Sequence, residues 1–540
     1  MQHQKNLRNA PGPPASINLA EENDTSAQNV PPGVNPWLIA IAVVLPAFME
    51  VIDTSIASVC VPYIAGSLSA SNDEATWVLT FYLLSNAVVL PASAWFSLRF
   101  GRKRFLIVSI VIFTIASFFC GAANTLFVIL VARLIQGAGG GALQPLSQAI
   151  LTESFPPEKR GLAMGMFGLG VVVAPVLGPT LGGWLTDRYS WRWAFYINIP
   201  VGILALLLIS RYVKDPPYIK NAKVGKLDTI GFGLLAVGLG CLQIILDRGQ
   251  QDDWFGAVWI RWTFAIMVIT LGAFIYSQLT REQTLVDLTI FKNRNFTLGC
   301  VLIFMFGAAI YGAVTILPLY FQEMMDYSAL WAGLAVSPRG FGSIIAMPLV
   351  GFLVSKIDTR ILVSAGFTVF GVCSLFWSMI TLQISPWSLT WPIVISGFAL
   401  GFVFVPLSTT TLGDLRPESV GNGSGLYNLM RNLGGSVGIS IVETILARHQ
   451  QLHRTELVRN LSPSSPILQQ ALKAFGGVFS PSNPAGANQQ AIAQVGQELG
   501  RQAQLWSYVD DFRYMALACF ICVPVVWALK RVRGKAIAGH

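Results

Sequence analysis

Residues 170–183 read GVVVAPVLGPTLGG. Gly170, Ala174, Gly178 and Gly182 recur at every fourth position, one stripe of a helix with almost no side chain on it. In a membrane, where helices gain nothing by hiding apolar surface from each other, such a stripe lets a second backbone approach closely. Pro175 and Pro179 lie inside the same stretch and remove backbone donors, which bends a helix and frees carbonyls. The stretch sits in an apolar run over 161–185, long enough to span a bilayer core of about 30 Å.

That run is one of fourteen. Apolar runs of span length begin with 37–60 and end with 511–530, and they take up most of the 540 residues. Composition agrees. Charged residues are 12% of the chain against roughly 25% in soluble domains, and 53% are hydrophobic. Mean hydropathy is +0.58. The chain is read as an all-α polytopic membrane protein with 14 transmembrane helices. The net charge of +9 is explained by lysine and arginine held on the cytoplasmic side and not by nucleic acid. Twenty-three lysines and arginines fall on the side of the two termini, whereas the short opposite loops carry Arg188, Arg192, Arg248 and Arg261. Both termini are therefore expected in the cytoplasm. Residues 1–36 and 531–540 read as cytoplasmic tails, and 448–510 as a long external loop.

An internal repeat sets the organisation. Pro145-Leu146-Ser147 with Pro157-Glu158 returns as Pro406-Leu407-Ser408 with Pro417-Glu418, at offsets of 261 and 260 residues. The loop Arg99–Arg104 is echoed by Ser355–Arg360. Two parallel six-helix halves follow, 37–212 and 297–530, with two inserted helices over 228–279.

Three sets of polar residues stand out in this apolar background. Asp53 lies about 16 residues, or ~24 Å, along an outward-running first span, and Arg133 about 7 residues, or ~10 Å, into an inward-running fourth span. Both fall in the outer third of the membrane and can meet; Glu50 shares the helix face of Asp53. An intramembrane arginine is costly and faces a polar partner. The second set is the loop Arg99, Gly101, Arg102 and Lys103, where glycine permits a tight turn and the cations can reach carbonyls at helix ends. The third comprises Gln136, Arg339, Asn428 and Arg431, placed as candidates for a substrate cavity.

Enzymatic chemistry finds little support. The histidines are at 3, 449, 453 and 540, outside every expected span; His449 and His453 have i,i+4 spacing but lack the glutamate of H-E-x-x-H. Neither a zinc-spaced cysteine cluster nor a G-x4-G-K-[ST] phosphate loop occurs, so no catalytic residue, metal or cofactor is expected and ATP is not the direct energy source.

Arg133 with Gln136-Gly137 resembles the fourth-span motif of the major facilitator superfamily, and Gly170 to Gly183 resembles its antiporter motif. Asp53-Thr54-Ser55-Ile56-Ala57 with Val61-Pro62 resembles the first-span motif of the fourteen-span drug:proton antiporters. Leu246-Asp247-Arg248-Gly249 and Phe291-Lys292-x-Arg294-Asn295-Phe296 are similar to the EmrB branch of that family. Ala94 and Leu98 stand where the superfamily places a glycine and an acid, and Arg339 where some members carry an acid favouring dications. The resemblance implies proton-coupled efflux of lipophilic drugs or toxic organic compounds across a bacterial inner membrane, with a periplasmic adaptor and an outer-membrane channel as partners. A gradient-independent facilitator or importer of a metabolite on the same fold is the alternative.

Overall fold

The computed structural model describes residues 35–216, 219, 225, 227–281, 284–381, 385–459, 465–479 and 487–530. The two tails expected at 1–36 and 531–540 lie, but for residues 35 and 36, outside the described residues. Every regular element among those described is a helix.

The first half contains α1 (Pro36–Ser67), α2 (Asn72–Phe100), α3 (Arg102–Ala122), α4 (Leu126–Gly140), α5 (Leu143–Ser154), α6 (Pro157–Arg188), a single turn α7 (Trp193–Tyr196) and α8 (Asn198–Tyr212). Two helices follow, α9 (Thr229–Arg248) and α10 (Val258–Thr280). The second half contains α11 (Arg294–Met325), α12 (Ala329–Val336), α13 (Pro338–Leu353), α14 (Thr359–Trp377), α15 (Pro386–Gly413), α16 (Pro417–Arg459), α17 (Pro466–Phe479) and α18 (Ala487–Trp527).

Local chemistry sets the boundaries. Asn35 caps α1 ahead of Pro36, Ser71 and Glu74 close a reciprocal capping box on α2, and Thr125 caps α4. Proline opens both α6 and α16, at Pro157 and Pro417, each followed by a glutamate that suits a helix N-terminus. Those are the repeated positions of the sequence, so α6 and α16 begin with the same local chemistry.

The burial pattern is inverted relative to a soluble protein. Phe127 is 75% exposed and Trp262 69%, while Arg133 and Arg339 are at most 1% exposed. Apolar side chains coat the outside and charge is held within, as a hydrocarbon solvent requires. Eleven helical segments among the described residues are long and apolar enough to cross a membrane, and twelve when the bent helix α6 is counted as one span. The sequence expectation of fourteen exceeds this. The two expected spans left over fall on α16 and α18, long helices whose polar stretches dilute their hydropathy.

Within the first half α1 packs along α6, and α4 sits between α2 and α3; in the second α11 packs along α16 and α13 along α15. The halves meet where α6 lies on α13 and where α2 and α5 lie on α16. Helix α9 packs on α2, and α10 mainly on α9, so the inserted pair lies at the flank.

Candidate functional site

Asp53 sits on α1, fully buried, at the meeting point of four helices. Arg133 Nη1 donates to Asp53 Oδ2 at 2.6 Å. Gln136 Nε2 donates to Asp53 Oδ1 at 2.9 Å and Asn198 Nδ2 to the same oxygen at 2.6 Å. All three partners are donors, the set an acceptor-only carboxylate takes. Each is held in turn. Arg133 Nε donates to the Val78 carbonyl at 3.0 Å, and its guanidinium lies 4.2 Å from the Tyr82 ring centre. Gln136 Oε1 accepts from Arg133 Nη1 at 2.8 Å, so the cation and the amide clamp each other. Ser117 Oγ accepts from both Gln136 and Asn198 and donates to the Phe195 carbonyl. A buried ion pair survives only with such supporting bonds, because each charge has lost its water.

Glu50, one helical turn earlier, faces a different neighbour. Asn86 Nδ2 donates to Glu50 Oε1 at 2.8 Å, while Glu50 Oε2 is buried without a hydrogen-bond partner. The first span thus carries two carboxylates, one held by three donors and one bonded to Asn86 with an oxygen left over.

Helix α6 explains its glycines and prolines by contact. It bends by 42° between Pro157–Pro175 and Leu177–Arg188. Pro179 has no N–H to give the carbonyl of Pro175, four residues earlier. Ser55 Oγ on α1 donates to that carbonyl at 3.2 Å. The approach is close enough that a Cβ on Gly178 would stand 2.1 Å from Ser55 Oγ. Gly170 faces Val44 and Gly182 faces Ile56 on the same helix, and Ala174 is buried.

At the loop between α2 and α3, Gly101 adopts φ +89°, a conformation that favours glycine. The turn aims Arg102 inward, where its Nη1 meets Glu153 Oε2 of α5 at 2.5 Å with both side chains buried. The Lys103 backbone N–H donates to Asp215 Oδ1 at 2.7 Å, and its Nζ to the Ser210 carbonyl at 2.6 Å. Glu153 and Asp215 are the acids of this corner. Arg99 is exposed at the end of α2.

Between the halves lies a small cavity of about 40 Å3, walled by Val171 and Pro175 of α6, Phe306 and Tyr311 of α11, Phe404 of α15, and two arginines, Arg339 and Arg431. Arg339 Nε donates to Ser396 Oγ at 3.2 Å, but its Nη1 and Nη2 are buried with no hydrogen-bond partner. Arg431 Nη2 donates to Gln144 and Asn432, leaving Nε and Nη1 unpartnered. To one side of the cavity, α16 is bonded to α5. Ser424 Oγ donates to the Pro145 carbonyl at 2.7 Å, and Asn428 Nδ2 to Gln148 Oε1 at 2.7 Å.

The family model of the Major Facilitator Superfamily matches residues 43–439. The chain belongs to this superfamily. Within it, the chain is 35% identical over 500 residues to the multidrug export protein EmrB of Escherichia coli K12, covering 92% of this chain and 96% of that protein. It is 35% identical over 512 residues to EmrB of Haemophilus influenzae, covering 94% and 98%. It is 34% identical over 503 residues to the fatty acid resistance protein FarB of Neisseria gonorrhoeae, covering 93% and 97%. The superfamily fold is also seen in the solved structure of the proton:xylose symporter XylE bound to 6-bromo-6-deoxy-D-glucose. That match has a TM-score of 0.55 at 15% identity and covers 89% of this chain and 94% of XylE. The human organic anion transporter MFSD10 matches with a TM-score of 0.57 at 14% identity, covering 91% and 100%. The chain is a multi-span facilitator-superfamily transporter of the EmrB type, not an enzyme.

In this superfamily member, Asp53 and Arg133 are brought together and Glu50 points elsewhere. Of the four residues assigned to the cavity by sequence, Arg339 and Arg431 line it. Gln136 does not: it is spent on Asp53 and Arg133. Asn428 does not either: it bonds α16 to Gln148 of α5. Sequence reasoning missed Asn198, Ser117, Gln148 and Glu153. Asn198 follows the Trp193–Tyr196 turn, where an amide reads as interfacial; only the break between α7 and α8 turns it inward.

Proposed function

We propose that the chain is a proton-coupled efflux pump for lipophilic compounds, favouring those with an acidic group, and that it works by alternating access. The observation that carries this reading is the pair of buried arginines, Arg339 and Arg431, with unpartnered N–H groups in an otherwise apolar cavity between the halves. Unpaired buried guanidinium groups are expensive, and an anionic ligand with an apolar body would satisfy both the charge and the wall. The names of the relatives, export and resistance proteins for drugs and fatty acids, point the same way.

The cavity as it stands holds a few waters and no drug-sized molecule, so loading requires the halves to part. The seal between α5 and α16 is the part that opens toward the cytoplasm. Asp53 is the proposed proton carrier, with Glu50 assisting. A proton on Asp53 dissolves its pairing with Arg133. Helix α1, joined to α6 through Ser55, passes the change to the cavity wall. Release of that proton inward and of substrate outward completes the cycle. In this reading α16 and α18 cross as the thirteenth and fourteenth spans, two six-helix halves (37–212 and 297–530) rock about the cavity, and 228–279 is the inserted pair. Both termini are cytoplasmic in an inner membrane. Residues 448–510 form the external surface on which a periplasmic adaptor docks, continuing to an outer-membrane channel.

The test is uptake of a lipophilic acidic dye into everted membrane vesicles, for wild type and Asp53→Asn, with and without a protonophore. Uptake that both the protonophore and the substitution abolish supports proton antiport. Uptake indifferent to the gradient overturns it and leaves the facilitator.

A further inference from the structure

Beyond the membrane, the last turns of α16 lie against the middle of α18. Arg431 lines the central cavity, and His449 is 18 residues further along the same helix, about 27 Å at 1.5 Å per residue. That is past the ~15 Å half-thickness of the hydrocarbon core. His449 and His453, one turn apart, point at the same carboxylate oxygen of α18. His449 Nδ1 is 2.8 Å from Asp510 Oδ2, and His453 Nε2 is also 2.8 Å from it. The three atoms lie within 4.8 Å of one another, and each residue is partly open to solvent. Trp506 and Tyr514 stand beside the two rings.

We propose that His449, His453 and Asp510 form a binding site for a divalent transition metal of the zinc class, which pins the external end of α16 to α18. Two imidazoles at i,i+4 on one helix face with a carboxylate from a second element are a three-ligand zinc set with one position left for water. Ligand atoms around a tetrahedral zinc ion with bonds of ~2.0–2.1 Å stand about 3.3 Å apart. The observed 2.8 Å contacts therefore need to lengthen by about half an ångström, within the reach of side-chain rotation. Arg513 Nη1, 3.6 Å from the other oxygen of Asp510, orients that carboxylate and leaves Oδ2 to the histidines. Glu456, its carboxylate 3.9 Å from His453 Nδ1, is the second acid nearby and offsets the arginine's charge. The inference rests on the proposed orientation only for placing the site outside the cell's inner membrane.

The test is zinc binding to the full chain, purified in detergent with a tag that contains no histidine, by competition with a chromophoric chelator. Cobalt substitution reports on coordination. One ion per chain is expected, with affinity falling at least ~10-fold in His449→Ala and in His453→Ala and the cobalt spectrum lost in the double variant. Asp510→Asn, which keeps the shape, covers the case where the alanine variants fold poorly; it too should weaken binding. His3→Ala and His540→Ala should leave affinity unchanged. Zinc should raise the unfolding temperature of wild type but not of His449→Ala/His453→Ala. Equal affinity in wild type and the double variant, or in wild type and Asp510→Asn, overturns the site. Transport is not measured, so failure here does not bear on the efflux reading, nor does failure of efflux bear on this.

Discussion

Asp53 Oδ2 and Arg133 Nη1 stand 2.6 Å apart with both side chains wholly buried, yet the two residues belong to helices that run in opposite directions through the membrane. Neither charge has another opposite charge among the ion pairs of the described residues. Removing one should therefore cost more than removing both. Asp53→Asn or Arg133→Gln alone is expected to destabilise the protein by about 3–5 kcal/mol, and the double substitution by clearly less than the sum. Thermal unfolding of the purified variants measures this; additive losses would mean that the pair is not coupled.

Arg339, in the cavity wall, has two unpartnered NH2 groups. A charge-assisted hydrogen bond is worth about 1.5–3 kcal/mol. Arg339→Gln should lower transport of a carboxylate-bearing dye by roughly 10- to 100-fold while leaving a neutral dye of similar shape little changed. Parallel uptake curves for the two dyes decide it, and an equal fall for both would argue that Arg339 only holds the fold.

The proposed cytoplasmic seal is made of side chains that can be removed without touching the cavity. Asn428→Ala with Ser424→Ala deletes the bonds of both side chains to α5, each worth about 0.5–1.5 kcal/mol. The inward-open population should rise at least ~5-fold. A cysteine placed at Leu146, buried beside the seal, reports the change. Its labelling by an impermeant maleimide in everted vesicles should quicken by that factor, and an unchanged rate would place the gate elsewhere.

Two glycines in one stretch should behave differently. A Cβ at Gly178 would meet Ser55 Oγ at 2.1 Å and Ser55 Cβ at 2.4 Å, so Gly178→Ala must push α1 away, at about 1–3 kcal/mol and with loss of transport. At Gly183 the nearest atom is a Leu330 methyl at 3.8 Å, so Gly183→Ala should be nearly silent. Expression level and dye uptake of the two variants side by side test the assignment of α6 against α1.

The sequence could reveal the pairing of Asp53 with Arg133 because depth in a membrane is countable: 1.5 Å per residue from each end puts both at one level. The repeat was readable for a similar reason, since Pro157 and Pro417 mark helix starts by local chemistry alone. What depth and spacing do not carry is azimuth. Gln136 and Asn428 are polar residues on spans, and nothing in their spacing tells a cavity wall from an ion-pair clamp or an interhelical seal. The histidine pair was visible at i,i+4, but its carboxylate comes from a position 57 residues further on, and only packing of α16 on α18 unites them. Counting spans has a limit of its own: α16 and α18 are each over 40 residues long, and their polar portions blur where an apolar run ends.

Ser55 and the Pro175 carbonyl carry a mechanical consequence. Were α1 and α6 to separate, that carbonyl would be stranded in hydrocarbon with no donor of its own helix to return to, a penalty of several kcal/mol. The proline bend is thus a rivet and not a hinge: α1 and α6 must swing as one lever.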